Sequence, residues 1–205
     1  MSREARRADL ISAALELFST RSPEDVSVDD VTARADVSRP LFYRYFAGVR
    51  ELHVAALRSV VDDLLARLDE RPDAEPVDRL RAAVRALADV AERHRAGYVA
   101  LVRSGSVIAT SETGAIVDEV RNRAVAVILE DLDITEPSPL VLTTVRCWTA
   151  VVEGSLLTWL QERSLPRERL DAWLVDQLLA MLDATGRHEP EALTSSAGRP
   201  PGRRT

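Results

Sequence analysis

Apolar residues recur along this chain at steps of three and four, the spacing of one face of a helix, and no stretch alternates cleanly beside hairpin signals. The pattern predicts an all-α protein. Residues 5–19 read as a first helix, with Ile11, Leu15 and Phe18 on one face and Leu10, Ala14 and Leu17 beside them. Pro23 stops that segment. Ser27-Val-Asp-Asp30 then reads as a capped start, because the Ser27 hydroxyl can accept a free backbone N–H and acids in a first turn suit the helix dipole. Val28, Val31 and Ala35 give this second helix its buried side. Asp36-Val37 makes a turn, and Ser38 caps a third helix over Arg39 to Tyr45, with Pro40 where a missing N–H does no harm. Ala47-Gly48 breaks it. A long fourth helix runs from Val49 to Glu70, ended by Pro72 and Pro76. Longer apolar helices follow over 76–94, 96–104, 112–132, 138–163 and 167–184.

These elements suggest three parts: a helical head over 1–52, a larger helical body over 53–185, and a Pro-, Gly-, Ser- and Arg-rich stretch over 186–205 that reads as a disordered basic tail. An apolar fraction of 46% over 205 residues suffices for a sizeable core. The single cysteine, Cys147, rules out an internal disulfide framework, and its place in an apolar helix reads as a small core residue. No uninterrupted apolar run reaches the ~18 residues of a membrane span, and the N-terminus lacks an apolar signal core. The expectation is a soluble cytoplasmic protein.

All 27 basic residues are arginine, and the net charge is −6. Residues 1–52 carry 8 Arg against 9 acids, so a nucleic-acid contact must be local rather than spread over a basic surface. The three histidines, His53, His94 and His188, are scattered, and no metalloprotease pattern, phosphate loop, dinucleotide fingerprint or nucleophile elbow is present. Consecutive acids such as Asp62-Asp63 diverge on a helix instead of converging as an acid–base pair. No enzyme activity, cofactor or metal is expected.

Two short helices joined by a tight turn, the second opening at Ser38, make a helix-turn-helix. Ser38, Arg39, Tyr43, Arg44 and Tyr45 crowd the second helix. An arginine at its start can fork onto guanine O6 and N7 in a major groove, and hydroxyls and free N–H groups can bind phosphate. Leu41 can meet a thymine methyl. Spacing divides the aromatics: Phe42 and Phe46 face inward, while Arg39, Leu41 and Tyr43 lie on the other side.

The stretch Val28 to Leu52, with its Asp-Val-Ser turn, its Phe-Tyr-Arg-Tyr-Phe run and the Arg-Glu-Leu that follows, resembles the DNA-binding head of the tetracycline-repressor-like (TetR) family. The resemblance covers residues 8–56. It implies that Arg39, Pro40, Leu41, Tyr43, Arg44 and Tyr45 occupy recognition-helix positions, that Tyr43 contacts phosphate, and that Ser27 caps helix 2 near the groove edge. This chain departs from the family pattern in three places. Asp36 stands at the turn glycine, Asp29 and Asp30 open helix 2, and Val49 replaces a lysine at the start of helix 4, where Arg50 is the nearest cation. Arg3, Arg6 and Arg7 read either as a flexible arm reaching the DNA or as a solvated terminus.

The same resemblance implies a body that binds a small molecule and dimerises. Helix 138–163 is apolar on most sides, with Val141, Val145, Trp148, Val152, Leu156 and Trp159 on one face and Cys147, Ala150, Val151 and Gly154 opposite. With helix 167–184 it could form half of a four-helix interface between two copies, as a helix-turn-helix needs to read two half-sites. Arg146, Thr149 and Glu153 form a polar stripe on that helix. It reads as an internal ion network joined by Arg103, as a polar wall of a ligand pocket with Tyr98, Arg103, Val107, Trp148 and Val152, or as a solvent-exposed stripe. The expected function is a homodimeric transcriptional regulator, a repressor of a palindromic double-stranded DNA operator, controlled by an apolar or amphipathic effector. The alternative is a dimeric ligand-binding or interaction protein whose head no longer reads DNA.

Overall fold

The computed structural model describes residues 2–70, 73–102 and 110–190. Among them the secondary structure is helical throughout: α1 (Arg3–Phe18), a 3-10 turn (Pro23–Asp25), α2 (Val28–Ala35), α3 (Arg39–Tyr43), α4 (Val49–Asp69), α5 (Pro76–Arg93), α6 (Arg95–Val102), α7 (Ser111–Asp131), α8 (Pro139–Glu162) and α9 (Arg167–His188). The helix starts follow side-chain chemistry. Ser2, Ser27, Ser38, Thr110 and Ser138 each accept a backbone N–H from the first turn of the helix that follows.

Three expectations about the elements are corrected. The third helix is a residue pair shorter, ending at Tyr43 with Arg44 as its cap, so Tyr45 lies beyond it. The last helix runs on to His188, so residues 186–188 belong to α9. Residues 191–205 of the anticipated tail lie outside the described residues. The arginines at the N-terminus are not a free arm: they are built into α1, where Arg6 pairs with Asp9 at 3.6 Å and Arg7 stacks 5.1 Å from the centre of the Phe46 ring.

Leu10, Ala14, Phe18, Val31, Phe42 and Phe46 converge on one small core. Leu52 and Ala56 of α4 complete it, so the boundary anticipated at residue 52 falls inside a continuous helix. Further along, Leu64 and Leu68 of the same helix pack with Val127 of α7. Thus α4 has its first turns in the head and its last turns in the body. A larger core joins α5, α7, α8 and α9 around Val84, Trp148, Leu156, Leu174 and Leu178. Trp148 Nε1 donates to the Leu174 carbonyl at 2.8 Å, fixing α8 against α9. Helix α6 touches both regions, and a Cβ at Gly97 would lie 3.9 Å from the Phe18 carbonyl oxygen.

By length and composition alone α8 could cross a membrane, which uninterrupted runs had not revealed. Its buried face is instead the centre of the body core. Cys147 is also corrected: it is exposed, on the outward side of α8.

Candidate DNA-binding face and ligand cavity

The turn between α2 and α3 is made by Asp36, which takes the left-handed conformation (φ 51°) that an L-residue adopts at some cost. The Val37 N–H then reaches back to the Thr32 carbonyl at 3.0 Å. Phe42 and Phe46 are fully buried, as their spacing predicted, and this sets the outward side of α3. Arg39, Pro40, Tyr43 and Arg44 are exposed, Tyr43 at 56%. Leu41 is half-buried. Ser38 caps α3 through Leu41 N–H at 3.4 Å, so its hydroxyl has a structural role. Tyr45 is half-buried against the head core, a correction to its place among DNA-facing groups. Arg50 is exposed on the first turn of α4.

Ser27 and Asp30 form a reciprocal capping box, with Ser27 N–H on Asp30 Oδ2 at 2.8 Å and Asp30 N–H on Ser27 Oγ at 3.2 Å. Arg21 pairs with Asp30 at 2.9 Å, and this cation together with the Ser27 bonds holds the Asp30 carboxyl well below the usual range. Asp29 is engaged differently. Its two carboxylate oxygens accept from Nε and Nη2 of Arg39, one each. The sequence pattern gave no sign of this partnership across ten positions.

The body holds a partly open cavity of about 180 Å³. Its walls are Leu57, Val61 and Leu64 from α4, Leu80 and Leu87 from α5, Tyr98 from α6, Val120 and Ala124 from α7, and Trp148 and Val152 from α8. Five of the expected pocket residues lie along it: Tyr98, Trp148, Thr149, Val152 and Glu153. Arg146 is not among them. It is exposed on the outer side of α8, one turn away from the wall, and Thr149 Oγ1 donates to its carbonyl at 2.7 Å. The cation that meets Glu153 is Arg121 of α7, with Nε and Nη2 each 2.7 Å from a carboxylate oxygen. This pairing raises the Arg121 pKa, and burial followed by the Glu153 charge pushes the Tyr98 phenol up. The Tyr98 hydroxyl donates to the Glu153 carbonyl at 3.3 Å. Sequence reasoning missed Arg121 and the α4, α5 and α7 walls, because their apolar periodicity is that of any core helix. Arg103 and Val107 lie outside the described residues.

An outward-facing helix-turn-helix, carried by a long helix onto a helical body with an apolar cavity, defines a class: a helix-turn-helix transcriptional regulator. Comparison with known proteins specifies it. A family model for the tetracyclin repressor-like C-terminal domain matches residues 76–181, and one for bacterial regulatory proteins of the tetR family matches residues 10–56. A solved tetR-family regulator from Streptomyces coelicolor is 38% identical with a TM-score of 0.88, covering 94% of this chain and 86% of that one. The transcriptional activator FasR of Mycolicibacterium smegmatis is 37% identical over 98 residues, 47% of this chain and 45% of its own, so the match spans less than half of that relative. LfrR of Mycobacterium smegmatis, solved in complex with proflavine, shares the fold at 22% identity and a TM-score of 0.60, over 87% of this chain and 97% of its own. The chain belongs to the TetR family of transcriptional regulators.

Proposed function

We propose that this regulator is a homodimeric repressor that reads a palindromic operator and is released by a small apolar or amphipathic molecule bound in the body. The observation that carries the ligand reading is the cavity: a mostly apolar space of about 180 Å³ with Tyr98, Arg121 and Glu153 joined in one part of its wall. A pocket with apolar walls and a few convergent polar groups selects a mostly apolar ligand and orients its polar end. On the DNA side, Arg39, Tyr43, Arg44 and Arg50 are the contacts we assign, with Ser38 and Ser27 holding the starts of α3 and α2 near the groove edge and Pro40 and Leu41 packing against the DNA.

The dimer reading rests on the outer surfaces of α8 and α9. Leu140 and Trp173 are exposed there, with Cys147, Ala150 and Gly154 also exposed on α8. A Cβ at Gly154 would meet nothing within 4 Å in the single chain, so the chain's own packing does not call for a glycine. A second copy of α8 and α9 seated on this face buries the exposed tryptophan and gives the paired heads that two half-sites require. Acting on DNA, the protein works in the cytoplasm.

Control follows from population shift. A ligand that fits one arrangement of the body better than the other moves the equilibrium by its differential affinity. Both α4 and α6 line the cavity and touch the head core, so either rearrangement changes the separation of the recognition helices. The test is a titration of the purified protein with apolar effectors, read by tryptophan emission and by retardation of operator DNA. All three tryptophans, Trp148, Trp159 and Trp173, lie in the body. The expected result is an emission change and loss of the DNA complex over one concentration range. Binding of an effector with both signals unmoved contradicts the reading.

A further inference from the structure

Two aspartates open α2, on the side of the head that carries α3. On charge alone, a carboxylate there opposes the phosphates of bound DNA. Asp30 is committed to Arg21 and to the cap of its own helix. Asp29 instead reaches Arg39, the first residue of α3. Both side chains are largely exposed, at 64% and 60%, so in water the pair adds little to stability. Its geometry is the informative part.

A guanidinium presents five N–H donors in a rigid plane. Asp29 takes two of them, the Nε hydrogen and one on Nη2, which form the side edge of the plane. The outer edge, made by Nη1 and the second Nη2 hydrogen, is left to others. That edge also offers two parallel donors, and guanine O6 and N7 are two acceptors matched to such a fork. Carboxylate and base therefore do not compete for the same edge.

We propose that Asp29 is a specificity-determining positioning residue: it clasps the side edge of Arg39 and holds the outer edge toward a guanine in the operator. The proposal rests on α3 being the helix that reads DNA. An unclasped arginine on a long flexible stem reaches a phosphate as readily as a base, and a phosphate contact carries no sequence information. The clasp removes that freedom before binding. Entry into the groove displaces water, and the pair then strengthens in the lower dielectric. Asp29 thus lowers affinity for DNA in general and raises the preference for one base.

The experiment is selection of binding sites from random duplex DNA by the full-length wild type, Arg39→Ala, Asp29→Asn and Asp29→Ala. Circular dichroism checks that each variant keeps its helix content. The wild type is expected to select a guanine that Arg39→Ala no longer selects. Both Asp29 variants should bind random DNA more tightly, since a negative charge is gone. Yet their preference for that guanine should fall by about tenfold, within the ~1–3 kcal/mol that a bidentate base contact supplies. An Asp29→Ala protein that binds more tightly and keeps the full guanine preference overturns the proposal, since Asp29 is then only a repulsive charge. If Arg39→Ala selects the same guanine, there is no base contact to position, and the proposal fails there. A wild type that selects no motif removes the reading of α3 itself, a different failure that takes this one with it.

Discussion

The head and the body of this protein solve opposite packing problems. The head encloses ten buried apolar residues with Phe42 and Phe46 fully covered, and turns its charged and hydroxylated side chains outward. The body has a larger core yet leaves about 180 Å³ unfilled at its centre. A reader of DNA must hold one shape, so its core is filled. On the proposed function, the body gains free energy when a guest arrives, and an unfilled core leaves room for it. The two meet in α4, whose Leu52 and Ala56 belong to the first core and whose Leu64 and Leu68 line the second region.

Phe42→Ala is expected to have the largest effect. It empties the centre of the small core, at a cost of ~3–5 kcal/mol for a buried phenylalanine. DNA binding and part of the helical ellipticity should be lost, while tryptophan emission stays native because every tryptophan is in the body. Emission that collapses together with DNA binding would show that the two cores are one cooperative unit.

Filling the cavity should act in the opposite direction. Ala124 lines it from α7. Ala124→Leu adds three buried carbons, worth up to ~2 kcal/mol at ~0.8 kcal/mol per CH₂. The melting temperature should rise while effector response disappears and operator affinity is kept. A lower melting temperature would mean that the space is not truly vacant.

A smaller effect separates the regions by pH. His53 is buried in the head, its ring edge-on to Phe18 at 5.4 Å, and burial lowers its pKa below the ordinary 6.5. Below pH 6.5 the unfolded chain takes up a proton that the folded head refuses, so stability falls as pH drops until the folded pKa is passed. His94 acts with the same sign from the end of α5. Denaturant titrations between pH 7.5 and pH 5 should show a shallower slope for His53→Gln than for the wild type, about one unit on either side of the histidine range. Equal slopes would remove His53 from the account.

The smallest expected change is at the turn. Asp36 stands at φ 51°, where glycine carries no Cβ penalty. Asp36→Gly should raise head stability by less than ~1 kcal/mol, since the relief is partly offset by the freedom glycine has when unfolded. Urea midpoints measure it, and a marked loss would show that the Asp36 side chain holds the turn.

The head was far more legible in the sequence than the body. Ser27, Asp30 and Ser38 announce helix starts through local chemistry, and the four-residue spacing of Phe42 and Phe46 assigns the buried side. Such signals are short-range, so the chain displays them directly. The pairing of Asp29 with Arg39 was invisible because it depends on how two helices cross. The cavity was only half legible for the same reason. The stripe on α8 set Arg146, Thr149 and Glu153 on one wall; Thr149 and Glu153 do line the cavity, but Arg146 faces outward, and the charge that meets Glu153 comes from Arg121, thirty-two positions upstream on another helix. An outward Cys147 on so apolar a helix was equally unreadable, because periodicity cannot tell a core face from an exposed apolar one.

The central claim, a dimer whose two heads read one operator, is tested most directly by footprinting the purified protein on the DNA flanking its own gene, at two salt concentrations. The account predicts two protected half-sites one helical turn apart or a multiple of it, ~34–36 Å per turn, with protection that weakens steeply as salt rises. Weak, uniform protection with no preferred site would contradict it, and would leave the body and its ligand as the function of this protein.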